Sequence, residues 1–331
     1  MQPLLLTMGD PTGVGPELII KTLLAGHFAD LQHPVCAVGD IAVLNKAAAV
    51  FGLQPVIRRL AEDLFQLDLG SQRLQVRSVS QLSPRELIYG HPNLACGKAM
   101  ADYVERAIAG CLNNEAAGIV TCPINKAAIN ASGCHFPGHT ELLAERCGVD
   151  KVVMMLAGPQ LKVCLVTTHL AYADVPAALS QAEILQTIRI TATSLEKQFA
   201  VAKPRLAVLA LNPHAGEGGL FGDEETRLIA PAIAAAQAEG IIADGPHSAD
   251  TLFHFAARGS HDAVICMYHD QGLIPLKLLH FDDAVNVTLG LPIVRTSVDH
   301  GTAYNLAGQG KASIASLVAA LKMADHMALN R

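Results

Sequence analysis

An α/β fold built on a largely parallel sheet is what this sequence predicts, and three observations carry the prediction. Short apolar runs of strand length alternate with amphipathic stretches of helix length along the 331 residues. Hydrophobic residues make up 51% of the chain, aromatics only 4%, and Trp is absent, so the core is built from Ala, Leu, Val and Ile, as α/β layers are. One pattern also recurs three times, an apolar run that ends in a histidine: Leu161-Lys-Val-Cys-Leu-Val-Thr-Thr-His169, Leu206-Ala-Val-Leu-Ala-Leu-Asn-Pro-His214 and Asp262-Ala-Val-Ile-Cys-Met-Tyr-His269, the last continuing into Asp270-Gln-Gly272. The carboxyl ends of parallel strands converge on one edge, where open α/β folds bind ligands. The three imidazoles are therefore expected to meet there around a divalent cation.

A chain of this length buries a sizeable core and is expected to divide into two lobes, residues 1–125 with 290–331 and residues 126–289, the second carrying the three histidines. No apolar run approaches the roughly 18–20 residues that span a bilayer. The opening Met1-Gln-Pro-Leu-Leu-Leu-Thr-Met8 lacks a basic region and runs into Gly9-Asp-Pro11, so it reads as a first strand and not as a signal peptide. A formal charge of −6 with scattered Lys and Arg gives no general attraction for nucleic acid, so an anionic ligand must be caught locally. Eight cysteines without a CxxC pair, mostly in apolar segments, predict reduced core thiols in a cytoplasmic protein.

In chain order, Gly9-Asp-Pro-Thr-Gly-Val-Gly-Pro-Glu17 is a glycine-rich turn with Pro16 placed as the first residue of a helix through Leu24. Its glycine spacing matches neither G-x-G-x-x-G nor a P-loop, so the glycines are read chiefly as shaping the turn, with an anion cradle as the other reading. Strands are expected at Pro34–Val38, Pro55–Leu60, Leu74–Val79 and Gly118–Thr121, and helices at Ile41–Phe51 and Gly97–Leu112. Further helices are expected at Gln181–Gln198, from about Glu224 to Ala238, and at Ser313–Leu329. The acids Asp223, Glu224 and Glu225 suit a helix N-terminus, and Glu217 and Asp223 are read mainly as capping and solvating the turn before it.

Several polar residues stand out. Lys126, in Thr121-Cys-Pro-Ile-Asn-Lys126, either binds an acidic substrate or sits on a solvated helix start. Thr140 reads as the N-cap of a helix with His139 just before it, which is either a phosphate seat made of backbone N–H groups, hydroxyl and imidazole or an ordinary capped helix. Lys277 and Arg295 lie among apolar residues, where each needs a carboxylate, such as Asp282, Asp283 or Asp299, or an anionic ligand. Three imidazoles suit Zn, Co, Ni or Fe, and a three-ligand site leaves positions open for substrate. Their separations along the chain match no zinc-finger or HExxH motif.

The segments Pro137-Gly-His-Thr-Glu141, Thr167-Thr-His169, Asn212-Pro-His-Ala-Gly-Glu-Gly-Gly219, Met267-Tyr-His-Asp-Gln-Gly272 and Arg295-Thr-Ser-Val-Asp-His-Gly-Thr302 together resemble the 4-hydroxythreonine-4-phosphate dehydrogenase family, NAD-dependent enzymes of pyridoxal phosphate biosynthesis. The likeness covers nearly the whole chain. It implies an isocitrate/isopropylmalate-dehydrogenase-like fold of two α/β/α lobes with an active-site cleft between them, and a homodimer in which the partner subunit completes the site. It implies His169, His214 and His269 as ligands of one divalent metal (Zn, Mg or Co), and His139, Thr140, Lys277, Asn286 and Arg295 as substrate-binding residues. NAD or NADP is the implied oxidant, bound without a Rossmann fingerprint, and its contact residues are left unassigned.

The expected reaction is oxidation of a phosphorylated hydroxy acid at C3, with the metal lowering the hydroxyl pKa, followed by decarboxylation of the β-keto acid. Asp250 and Asp270 are the candidate proton acceptors or orienters. One departure bears on substrate: the best-known members carry His before the lysine where this chain has Asn125, as does a sister group acting on D-threonate or D-erythronate 4-phosphate. That sister activity is the nearer alternative. A metal-dependent phosphoryl or acyl transferase is the more remote one, and a non-catalytic phosphate-binding protein the third. No nucleic-acid or membrane partner is expected.

Overall fold

The chain enters through β1 (Leu4–Thr7), buried at every position, and passes a tight turn into α1 (Gly15–Leu24), whose first turn holds Pro16. In this computed structural model residues 1–83, 87–134 and 138–331 are described. β2 (Val35–Gly39) is again wholly buried, and α2 (Ile41–Val50) starts where the Asp40 carboxylate accepts from the N–H groups of Ala42 and Val43. There follow β3 (Val56–Arg59), β4 (Leu64–Leu69) and β5 (Gln72–Ser78), a meander whose strands pair antiparallel. β4 has no counterpart among the expected strands. Next come α3 (Leu94–Leu112), capped by Asn93, β6 (Gly118–Thr121), α4 (Lys126–Ala131) and α5 (His139–Cys147).

The second stretch contains β7 (Val153–Ala157), β8 (Lys162–Leu165), α6 (Val175–Ala178), α7 (Gln181–Gln198) and β9 (Arg205–Leu209). α7 keeps the bounds expected of it because Ser180 accepts from the N–H of Glu183 and so starts the helix. After β9 a left-handed turn and a π-helical turn (Glu225–Ile229) lead into α8 (Ala230–Ala238). β10 (Ile242–His247), α9 (Ala249–Ala256), β11 (Ala263–Cys266), α10 (His269–Leu279) and β12 (Val285–Leu289) follow, and then β13 (Val294–Val298) and α11 (Ala315–Leu329) close the chain.

Two units result, Met1–Val149 with Leu291–Leu329 and Asp150–Gly290 with Asn330–Arg331. The first crossing therefore falls at Val149 where residue 125 was expected, because α4 and α5 pack on α3 and stay with the first unit. In the first unit the strand order is β13-β6-β1-β2-β5-β4-β3, parallel from β13 to β5. In the second it is β10-β9-β11-β8-β7-β12, with the first four strands parallel and β7 antiparallel to both its neighbours. Leu156, Val163, Leu165, Leu209, Val264 and Leu276 are among the apolar residues that form the second unit's core.

The glycine-rich turn is occupied with its own bonding. The N–H groups of Asp10, Thr12, Gly13 and Val14 donate to Pro123 O, Asp10 Oδ1, Asp10 O and Thr302 O respectively. Gly9 has φ +71°, and a Cβ there would lie 2.2 Å from Pro123 O, so glycine is needed for the close approach of the turn to the end of β6. All eight cysteines are free thiols. Among the described residues no helix is long and apolar enough to cross a membrane.

Candidate active site

Strands β9, β11 and β8 are adjacent and parallel, so their carboxyl ends share one edge of the second unit's sheet. The three histidines stand past those ends. His169 lies in the loop after β8, His214 in the turn after β9, and His269 is the first residue of α10. The rings of His169 and His269 are 5.5 Å apart, tilted by 45°, and with Tyr172, Tyr268 and Asp270 they line one cavity. His269 Nδ1 is 2.7 Å from Asp270 Oδ1, which leaves Nε2 as the ring's free donor atom, the arrangement of a metal-ligating histidine steadied by a carboxylate.

His214 lines a second cavity with Asn212, Ser248, Asp250 and Gln271, and the edge-to-face pair Tyr172–Tyr268 belongs to both cavities. His169 and His269 are thus brought side by side, and His214 is not brought into their pair. Asp250, in the first turn of α9, accepts a 2.6 Å hydrogen bond from Ser248 Oγ and faces the His214 cavity.

His214 sits in a strained segment. His214, Ala215, Gly216, Glu217 and Gly218 all have positive φ (51°, 54°, 77°, 43° and 69°), a left-handed turn of which three residues are not glycine. Each such residue costs about 1–2 kcal/mol, which the surroundings must offset. The clamp is Glu225, 5% exposed, whose Oε1 accepts from Leu211 N at 2.9 Å and Asn212 N at 2.8 Å while Oε2 accepts from Asn212 Nδ2 at 3.0 Å. Sequence reasoning placed Glu225 only as an acid at a helix start. A Cβ on Gly216 would lie 2.7 Å from Glu225 Oε2, so glycine there lets the turn close over the carboxylate. Asp223, by contrast, pairs with Arg227 on the surface, and Glu217 is exposed.

The first unit holds the phosphate candidates. Gly138, not Thr140, is the N-cap of α5, and His139 and Thr140 are its first two residues, because the extended backbone at Gly138 already delivers its carbonyl to Leu142 N. Pro137 lies outside the described residues. Arg295, 3% exposed on β13, donates from Nη2 to Thr121 Oγ1 at 2.8 Å, and the acid whose field acts on it is Glu141 of α5. Burial pulls the guanidinium down to about 10 against that field, so it stays protonated at neutral pH.

His139 Nε2 is sealed from solvent, and burial, followed by the positive fields of Arg295 and Lys126, holds the imidazole well below its ordinary value of 6.5. Two cations, Arg295 and Lys126, act on a neutral imidazole at the start of a helix, with the Glu141 carboxylate beside them, in a chain of charge −6. Asn125 is tied down on two sides: Oδ1 caps α4 through Ala128 N, and Nδ2 donates to Tyr304 Oη, which in turn donates to Asp10. Lys277, on α10, and Asn286, on β12, are both half-buried residues of the second unit.

The depressed His139 makes the folded state refuse a proton that the unfolded chain accepts below about 6.5. Stability from this source is intact above that pH and falls as pH drops through it, by at most about 1.4 kcal/mol per pH unit. His139→Gln is expected to lose about 1 kcal/mol less than wild type between pH 7 and 5.5, read from urea midpoints. Equal losses would show that His139 titrates normally.

The family described as Pyridoxal phosphate biosynthetic protein PdxA matches residues 30–324. A 4-hydroxythreonine-4-phosphate dehydrogenase of Geobacter metallireducens is 54% identical over 325 residues, 98% of this chain and 95% of the relative. The crystal structure of 4-hydroxythreonine-4-phosphate dehydrogenase from Klebsiella pneumoniae superposes with a TM-score of 0.87 at 39% identity, covering 99% of this chain and 98% of that one. A terephthalate 1,2-cis-dihydrodiol dehydrogenase from Burkholderia xenovorans gives a TM-score of 0.67 at 28% identity, with 98% of both chains covered.

Proposed function

The chain belongs to the PdxA family of pyridoxal phosphate biosynthetic proteins, and on that premise we propose that its dehydrogenase chemistry uses a nicotinamide dinucleotide, NAD or NADP, and a divalent ion, Zn, Mg or Co, held by His169, His214 and His269. Its activity is that of 4-hydroxythreonine-4-phosphate dehydrogenase: 4-phosphohydroxy-L-threonine is oxidised at C3 to 2-amino-3-oxo-4-phosphooxybutanoate, which loses CO2 to give 3-amino-2-oxopropyl phosphate.

The observation that carries the metal reading is the His169–His269 pair with its supporting Asp270. Two imidazoles on one tetrahedral ion, with nitrogens about 2.0–2.1 Å from it, have ring centroids roughly 5 Å apart, close to the 5.5 Å present. His214 is the third ligand of the proposal, supported by the strain stored at its backbone and by the shared tyrosine wall. A divalent ion there supplies Lewis acidity, easing loss of the C3 hydroxyl proton and steadying the negative charge that develops as CO2 departs.

The chain's own residues do the rest. Asp270 fixes the ring of His269, and Asp250, exposed beside the His214 cavity, is the proton acceptor. Arg295, the neutral His139 and Thr140 hold the phosphoester, which stays unreacted and serves as a handle. Lys277 and Asn286 are the second unit's candidates for substrate contacts. Four N–H groups of the glycine-rich turn before α1, those of Asp10, Thr12, Gly13 and Val14, are bonded within the protein, which speaks against the pyrophosphate cradle of a Rossmann site. A homodimer accords with the exposed Ile274, Leu278 and Phe281 on and just after α10, apolar residues that a two-fold interface would cover.

The test is NADH formation, with active material sized by sedimentation. 4-Phosphohydroxy-L-threonine is expected to support it, D-threonate 4-phosphate to do so poorly, and chelator to stop it, with activity travelling at twice the chain mass. Equal rates with chelator would remove the metal from the mechanism, and turnover of the threonate ester alone would move the chain to the sugar-acid activity.

A further inference from the structure

A second group of metal-binding side chains lies away from the histidines described above. Asp244 and His247 belong to β10, and His261 to the segment that enters β11. In a regular strand, residues three apart face opposite sides. The register of β10 on β9 shifts between Asp244 and His247, and this irregularity turns both side chains the same way, with His247 Nε2 2.6 Å from Asp244 Oδ1. His261 reaches the same carboxylate from two strands away, across β9, with Nε2 3.1 Å and 3.3 Å from its two oxygens.

The two rings are 5.7 Å apart, and one donor atom from each of the three residues lies within 4.8 Å of the others. Ser260 Oγ, 2.8 Å from His261 Nδ1, fixes that ring with Nε2 turned inward, as groups behind metal-ligating histidines do. None of the three residues lines the cavities of His169, His214 and His269.

The geometry points to a second, structural cation site formed by Asp244, His247 and His261, selective for an imidazole-preferring divalent ion such as zinc, with water in the remaining position. Two neutral imidazoles and one carboxylate suit zinc, nickel or cobalt, whereas magnesium and calcium prefer all-oxygen shells. Around a tetrahedral zinc, neighbouring donor atoms stand roughly 3.3 Å apart, so the His247–Asp244 contact opens by about 0.7 Å while the His261–Asp244 contacts barely change. An ion here clips β10 to the entrance of β11.

Equilibrium dialysis of the full chain against zinc, after removal of prior metal, tests this. His169→Ala/His269→Ala disables the other site, and that variant is expected to retain about one zinc equivalent per chain and a thermal midpoint that rises with zinc. Adding His247→Ala/His261→Ala, or the milder Asp244→Asn, is expected to abolish both. On the otherwise wild-type chain, His247→Ala/His261→Ala should leave NADH formation in place, which also shows that the variant folds. Zinc stoichiometry unchanged by both the histidine and the Asp244→Asn substitutions would overturn the assignment and leave a hydrogen-bonded cluster only.

Discussion

Alanine in place of His169 or His269 is expected to lower kcat/KM by about 1,000-fold or more, and combining the two substitutions is expected to lower it little further. A Lewis-acid ion contributes several kcal/mol of charge stabilisation in the transition state, and each 1.4 kcal/mol is a factor of ten in rate. In the proposed site both residues serve one ion, so the second loss would find nothing left to remove. Neither substitution should unfold the protein, because His169 is exposed and His269 is only half-buried at the start of α10. Thermal midpoints near that of wild type, alongside the lost activity, separate a site effect from a folding effect. Losses that multiply in the double variant would mean that the two imidazoles act independently.

The second large effect is expected at Arg295. Arg295→Lys keeps the charge but loses the planar fork, and KM for the phosphorylated substrate should rise about 100-fold with kcat much less changed. A hundredfold change corresponds to about 2.7 kcal/mol, the scale of one or two charge-assisted hydrogen bonds. Inorganic phosphate should weaken in parallel as a competitor, since the proposed contact is to the phosphate and not to the reacting carbon. A drop in kcat at unchanged KM would place Arg295 outside the phosphate seat and make its partnership with Thr121 and Glu141 structural.

Much of the fold was legible because local signals and tertiary packing agree. β6 spans Gly118–Thr121 and α7 spans Gln181–Gln198, as the apolar run and the amphipathic stretch predict. The misses have particular causes. β4, Leu-Phe-Gln-Leu-Asp-Leu, is interrupted by Gln66 and Asp68, so it lacks the continuous apolar run by which the other strands were found. α10 contains Pro275 in its interior, which reads as a helix stop in sequence yet is accommodated here. Thr140 reads as a cap by residue type, but Gly138 takes the position and moves both His139 and Thr140 into the helix.

The site was legible in part. The repeated strand-then-histidine pattern puts all three histidines at one sheet edge, because β8, β9 and β11 pair in parallel. How closely the rings approach is decided beyond the strands, by a loop, a left-handed turn and a helix start that no periodicity describes. The glycines at 216, 218 and 219 hint at the left-handed turn, while His214, Ala215 and Glu217 argue against it, and the buried Glu225 that holds it lies well downstream. Asp244, His247 and His261 stayed hidden for the same kind of reason: only an irregularity in β10 turns Asp244 and His247 to one side.

The most direct measurement is an anomalous difference map from crystals of the protein grown with cobalt or zinc. A peak about 2.0–2.2 Å from nitrogens of His169, His214 and His269 together is the predicted result. A map in which the metal sits only at Asp244, His247 and His261, or in which those three first rings hold no common peak in the assembled enzyme, would contradict it.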